Sequence, residues 1–321
     1  MPAFVGYGGT KLGIVLLCVA LILGISYCCY WVAFYNPEFR HREPVPMPKG
    51  WRSQKEGPKL RELYCEMEAL PYERVFIKSH DGLKLGGAYY HANDGALLQI
   101  QFHGYRGSGT RDLCGLHRLA RQMGHNVLAV SQRAHGASQG KTLTFGIKER
   151  YDCVAWAKYA AERFGENVPI VLAGVSMGAA TVMMASELEL PRNVIGIIAD
   201  CGYSSPGAII RKVSRDVRIP AWLSYPFIVL GAVIFGRFRL WDSSAVDAVK
   251  NAKVPILLIH GEADKYVPCQ MSKQIRDASG GKAVLEVFPE ATHGISYVTD
   301  PDRYKRVVEE FLKECRKKWK E

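Results

Sequence analysis

The run Gly174-Val175-Ser176-Met177-Gly178 constrains this chain more than any other, because of what flanks it. An apolar run, Pro169 to Ala173, precedes it, and a helix-forming run, Ala179 to Ala185, follows. A strand that ends in G-x-S-x-G and turns sharply into a helix holds its serine in a strained turn, with the hydroxyl exposed above the sheet. The flanking glycines have no Cβ, so strand and helix can approach closely. The helix N-terminus behind the turn presents unpaired N–H groups and positive partial charge, which suit a developing oxyanion. Gly and Ser are common residues. The motif alone does not separate this turn from an ordinary glycine-rich connection, and the rest of the chain decides.

A serine nucleophile needs a base, and the base needs an orienting acid. The run Val254 to Ile259 reads as a buried strand and ends in His260-Gly261-Glu262-Ala263-Asp264. A second strand, Ala283 to Phe288, is followed by Pro289-Glu290-Ala291-Thr292-His293-Gly294. Both loops lie past strand C-termini, where open α/β sheets place their ligands. Asp264 is the candidate acid and His293 the candidate base, in the chain order serine, acid, histidine. Taken singly, Asp264 reads as a turn or cap residue and His293 as a solvated loop residue. Asp200 also ends a strand, Val194 to Ala199, and is the rival acid.

Two motifs lie upstream. Leu97 to Phe102 reads as a strand ending in His103-Gly104-Tyr105-Arg106-Gly107, and Asn126 to Ser131 as a strand followed by Gln132-Arg133-Ala134-His135-Gly136-Ala137-Ser138. With these, the chain resembles the α/β-hydrolases, the serine hydrolase group of esterases, lipases and proline-iminopeptidase-like enzymes. Within it, the chain is most similar to bacterial membrane-anchored members with an H-G-x-x-G loop and a G-x-S-M-G elbow. The resemblance runs from about Tyr72 to the C-terminus. It implies Ser176 as nucleophile, Asp264 as acid and His293 as base, with the backbone N–H groups of Tyr105 and Met177 as the oxyanion hole. It implies a serine hydrolase that cleaves a carboxylic ester, thioester or amide through an acyl-enzyme, chemistry that needs no metal or organic cofactor. An acyltransferase, a peptidase and a non-catalytic binding protein on the same fold remain the alternatives. One stretch departs from the family pattern D-x-R-G-H-G-x-S: Ser131 and Ala134 stand where the leading Asp and the first Gly are usual. The contacts of Arg133 are thereby left open. His103 and His135 read as structural histidines rather than ligands.

From Leu12 to Pro37 no residue is charged, and Tyr30, Trp31 and Tyr35 cluster near the end of the run. That length suits one bilayer-spanning helix with an interfacial aromatic belt. A cleaved signal peptide needs a shorter apolar region and a small-x-small site, and Ser26 to Trp31 offers none. A buried core helix is the other reading. Arg40, Arg42, Lys49, Arg52 and Lys55 follow the span against Lys11 before it, which by the positive-inside rule favours a cytoplasmic domain. Relatives built this way are often exported, so the side stays open. The 321 residues carry a net charge of +11 without a nucleic-acid recognition motif, so nucleic acid is not an expected partner. The resemblance implies a small-molecule or lipid-like acyl substrate, and the apolar run implies a membrane as partner. The nine cysteines show no paired spacing, which argues against a disulfide framework or a zinc site.

The organisation expected is an anchor over 1–37, a connector over 38–71 with a short helix from Lys59 to Ala69, and a hydrolase domain over 72–321. The domain should hold a mostly parallel sheet with helices on both faces, entered by a hairpin from Glu73 to Tyr90 with its turn at Asp81-Gly82. Strand–helix alternation breaks at about 203–248, the place of a helical cap over the active site. Ile219 to Gly236 carries no charge. Pro226 and the short length count against a second spanning helix, so an apolar lid lining the pocket or dipping into a membrane surface is expected. Tyr304, Val307, Val308, Phe311, Leu312 and Cys315 give the last helix a buried stripe, and its basic tail reads as a solvated face. A cut after residue 37 removes no catalytic loop.

Overall fold

Residues 6–37 and 55–320 are described by this computed structural model. The connector is thus seen only from residue 55, and Arg40, Arg42, Lys49 and Arg52 lie outside the described residues. Helix α1 (Gly6–Ala33) comes first, then α2 (Gly57–Glu68) and the hairpin of β1 (Glu73–Lys78) and β2 (Lys84–Tyr90). Alternation follows through β3 (Leu98–Phe102), α3 (Gly109–Gln122), β4 (Asn126–Val130), α4 (Glu149–Phe164), β5 (Ile170–Val175), α5 (Met177–Ala185) and β6 (Val194–Asp200). The 203–248 segment supplies α6 (Pro206–Asp216), α7 (Ala221–Ile234) and α8 (Ala245–Ala248). The chain returns through β7 (Ile256–Gly261), α9 (Gln270–Ala278), β8 (Ala283–Phe288), α10 (Ser296–Thr299) and α11 (Pro301–Lys320).

The strands form one sheet in the order β1-β2-β4-β3-β5-β6-β7-β8, antiparallel at β1–β2 and β2–β4 and parallel elsewhere. The central strands are apolar throughout because both faces are covered, as parallel sheets require. Their alternation is visible in β5. Val171, Ala173 and Val175 face a core with α2, α3 and α11, while Ile170 and Leu172 face a core with α4, α5 and α9. Trp156 of α4, fully buried in the second core, is its largest side chain; burial of such a group contributes about 1.5–3 kcal/mol.

A third apolar cluster joins parts that are remote in sequence. It contains Tyr30 of α1 and Phe34 just past its end, Met177 and Met184 of α5, Ile209 and Ile210 of α6, and Ala232 of α7. Lys11–Ala33 is long and apolar enough to cross a membrane, and little of it is buried. Its last two turns behave differently. Ser26 and Phe34 are fully buried, Tyr35 forms an antiparallel bridge with Thr142, and the Asn36 Nδ2 donates to the Ala134 carbonyl at 2.8 Å. A cut after residue 37 therefore runs through packed structure. Window-averaged hydropathy did not reveal this, because the buried residues lie in one uninterrupted uncharged run with the exposed ones.

Candidate active site

The turn from β5 to α5 is as tight as its sequence suggests. A Cβ on Gly174 would lie 2.3 Å from the backbone carbon of Gly178, and one on Gly178 would lie 2.0 Å from the Phe102 carbonyl oxygen, so neither position tolerates a side chain. Ser176 has φ +56°, ψ −113°, a conformation that costs on the order of 1–3 kcal/mol and persists only when its surroundings hold it. Its N–H is held by the Asp200 carbonyl at 2.9 Å. Its side chain makes no helix-cap bond, which leaves Oγ for another partner.

That partner is His293, on the loop after β8. His293 Nε2 is 3.0 Å from Ser176 Oγ, and Nδ1 is 2.7 Å from Asp264 Oδ2. The three residues come from the C-terminal ends of β5, β7 and β8, so the sheet itself aligns them. Asp264 Oδ1 accepts from the backbone N–H groups of Tyr266 and Val267 at 2.8 and 2.9 Å. Burial alone would raise the Asp264 carboxyl. Bonding to His260 and His293 outweighs it and holds the group well below the usual carboxylate range. An ionised acid facing Nδ1 fixes the proton there and leaves Nε2 as acceptor toward Ser176. Tyr266 packs edge-on against the imidazole, with centroids 5.0 Å apart.

Asp200, the rival acid, is placed otherwise. Its Oδ2 accepts from the Tyr304 hydroxyl at 3.0 Å, and its Oδ1 has no partner among the described residues. Burial pushes this carboxyl up to about 6, so it is a poor fixed anion at neutral pH compared with Asp264. The histidine contact belongs to Asp264.

The H-G-Y-R-G loop after β3 forms the other wall. Its Gly104 N–H donates to Asp112 Oδ2 at 2.9 Å, and Gly104 is close enough to Ser176 that an added Cβ would touch the serine Cβ at 3.4 Å. Met177 opens α5, and N–H groups of a first helical turn have no acceptor within the helix. His103 donates from Nδ1 to the Gly104 carbonyl at 2.8 Å and accepts at Nε2 from the Gln132 N–H at 3.1 Å. It is thus a neutral structural histidine, as is His135, whose Nδ1 donates to the Arg133 carbonyl at 2.8 Å.

The loop is also tied to α1. The Tyr105 hydroxyl donates to the Ala33 carbonyl at 3.0 Å, and Arg106 Nη2 donates to the carbonyls of Val32 and Tyr35 at 2.8 and 3.1 Å. These are carbonyls at a helix C-terminus, where a cation satisfies both orphan acceptors and dipole. Nothing in the sequence pattern pairs residues 32–35 with 105–106.

Arg133 has definite partners. It is bidentate to buried Asp152 at 2.7 Å and also reaches Asp81 in the β1–β2 turn at 2.9 Å. His80, Asp81 and Asp152 have the composition of a metal site, but this guanidinium supplies their cation. Ala134, where the family pattern has Gly, keeps the glycine-like φ of +61°.

Ser176 and His293 open into a cleft of about 770 Å³ lined by Leu60, Tyr105, Leu116, Tyr266, Tyr297 and Val298, among others. Among the described residues that line it, none comes from 203–248. The segment read as a pocket-lining cap leans on α1 instead, and α2 with α10 takes the place at the cleft. Leu60 and Tyr297 were not identified from sequence, since Leu60 on α2 and Tyr297 on the four-residue α10 belong to no motif.

A family model described as the alpha/beta hydrolase family matches residues 102–309. The chain is 26% identical over 323 residues to protein bem46 of Schizosaccharomyces pombe, covering 94% of this chain and 92% of that protein. It is 25% identical over 252 residues to protein YqkD of Bacillus subtilis, covering 78% and 82% respectively. Lysophosphatidylserine lipase ABHD12 of Danio rerio is 25% identical over 215 residues, 64% of this chain and 49% of that protein. Among solved structures, the Pyrococcus furiosus esterase Pf2001 superposes with a TM-score of 0.64 at 26% identity, over 78% of this chain and 93% of its own.

Proposed function

The chain belongs to the alpha/beta hydrolase family, and from that premise we propose that it is a membrane-anchored serine hydrolase that cleaves carboxylic esters through an acyl-enzyme. The observation that carries this reading is the continuous hydrogen-bonded line Ser176 Oγ–His293 Nε2, His293 Nδ1–Asp264 Oδ2 at 3.0 and 2.7 Å. His293 takes the Ser176 proton at Nε2 as Oγ attacks the ester carbonyl. Asp264 stabilises the imidazolium that forms. The N–H groups of Tyr105 and Met177 receive the oxyanion, each donor contributing about 3 kcal/mol to the transition state. His293 then protonates the leaving alcohol as the C–O bond breaks. Water, deprotonated by the same imidazole, attacks the acyl-enzyme and releases the acid and free Ser176.

A lipid-like ester is the substrate class proposed. The apolar cleft supports it, as does similarity to a protein called a lysophosphatidylserine lipase. So does α1, which on this reading crosses the membrane and holds the cleft near its surface. The test is labelling by a fluorophosphonate probe together with turnover of p-nitrophenyl esters of increasing chain length. Labelling that Ser176→Ala abolishes, with ester turnover lost in step, is the expected result. Labelling that survives Ser176→Ala would overturn the assignment.

A further inference from the structure

Helix α7 is built for an environment other than water. Only Gly231 and Ala232 of its residues are buried. Trp222 is 79% exposed, and Ile219, Leu223, Val233 and Ile234 are also exposed. The outer face of a water-facing helix is normally polar, and contiguous apolar exposure marks a contact surface.

What covers that face follows from what α7 lies against. Gly231 meets α1 so closely that a Cβ would come within 2.4 Å of the Ser26 carbonyl oxygen and 3.2 Å of Tyr30. Phe235 packs edge-on against Tyr27 at 5.1 Å and near Tyr30 at 6.0 Å. Small residues at a close helix crossing are how helices associate in lipid. The exposed face of α7 is thus continuous with the exposed apolar face of α1, which runs from Leu12 to Trp31. With 14 residues, α7 is about 21 Å long, short of a hydrocarbon core of about 30 Å. It can enter one leaflet but cannot cross.

Charge at its ends completes the pattern. Arg215 and Arg218 precede it, Arg237 and Arg239 follow it, and all four are exposed and form no ion pair among the described residues. Trp241, 61% exposed, lies beyond the C-terminal pair. An apolar helix bracketed by arginines and tryptophans matches an interface in which guanidinium groups meet anionic headgroups.

We propose that α7 is a second membrane element, embedded in one leaflet beside α1, with Arg215, Arg218, Arg237 and Arg239 on anionic phospholipid headgroups. The proposal rests on reading α1 as the anchor, and its test separates the two. Full-length protein is placed in phosphatidylcholine nanodiscs, with and without phosphatidylglycerol, that contain a phospholipid with a photoactivatable diazirine on its acyl chain. Crosslinked peptides are then mapped by mass spectrometry. Adducts on both α1 and residues 219–236 are expected, with yield at 219–236 falling roughly two- to fivefold when phosphatidylglycerol is left out. Adducts on α1 alone overturn the proposal and leave the anchor standing. Adducts on neither overturn both. Equal yields with and without phosphatidylglycerol overturn the headgroup assignment. The lipid comparison needs no variant, so misfolding cannot imitate its outcome.

Discussion

At the scale of single residues, the two acids near His293 make a sharp contrast. Asp264 is ionised, faces Nδ1 at 2.7 Å and is gripped by two backbone N–H groups. Asp200 is buried against Tyr304, with its carboxyl pushed up to about 6. Asp264→Asn should therefore lower kcat by about four orders of magnitude, since an amide favours the wrong tautomer. Asp200→Asn keeps an acceptor for Tyr304 and removes a charge from an apolar site, so its rate should stay within about tenfold of the parent enzyme. Steady-state ester hydrolysis of the two variants checks this, and a reversed order would move the acid to β6. Ser176→Ala should cost roughly three to six orders of magnitude with thermal stability almost unchanged. That Ser176, Asp264 and His293 would meet was legible because each follows a strand in a fixed chain order, and their roles are what these variants test. Asp112, which holds Gly104, and the orphaned Oδ1 of Asp200 were not, since they depend on side chains meeting across the fold.

At the scale of elements, α1 and the residues just after it have two parts, with no charge to mark the boundary between them. The outer turns of α1 expose Leu12, Leu16 and Leu17, while its last turns bury Ser26 and Tyr30, Phe34 is buried just past its end, and the same stretch carries the bonds from Tyr105 and Arg106. Deletion of residues 1–25 should leave the domain folded and active on a soluble ester. Deletion of 1–37 should leave a folded domain that is less stable and less active. Loss of Phe34 alone is comparable to a Phe→Ala core substitution, about 3–5 kcal/mol, so the melting temperature should fall by about 10 °C. Arg106→Ala is the finer test. It leaves the core intact but frees the loop from the helix C-terminus, so kcat should fall roughly tenfold with a small change in Tm. Thermal melts beside kinetics on the three proteins decide the matter. Unchanged activity in the deletion of 1–37 would show that the contact does not position the loop. The 203–248 segment teaches the same lesson. Its helices were legible from composition, but their placement against α1, away from the cleft, was not, because the residue that allows it is Gly231 meeting Ser26.

At the scale of the whole molecule, pH between about 6.5 and 4 should act on stability chiefly through buried histidines. Burial pushes His103, His117 and His125 down to about 4 and His135 down to about 3. In the unfolded chain such groups titrate near ~6.5. As pH falls from about 6.5 to 4, the unfolded chain binds up to four protons that the folded chain refuses, so stability falls with pH. Asp152 and Asp200, pushed up to about 6 by burial, act in the opposite sense: the folded chain takes up their protons first, so each adds stability as pH falls from about 6 toward its unfolded value near ~3.9. Four losses against two gains leave a net decline. His117 isolates one of the losses. Among the described residues neither of its ring nitrogens has a hydrogen-bond partner, and the ring packs edge-on against Tyr90 at 4.4 Å within an apolar cluster. His117→Phe keeps the ring contact and removes the proton, so it should be neutral or stabilising at pH 7. By pH 4 it should retain about 3 kcal/mol more stability than the parent, the linkage equivalent of a shift from about 6.5 to 4. Denaturant unfolding of both proteins between pH 7 and 4 measures this directly. Parallel curves for variant and parent would mean that His117 is not held neutral by burial.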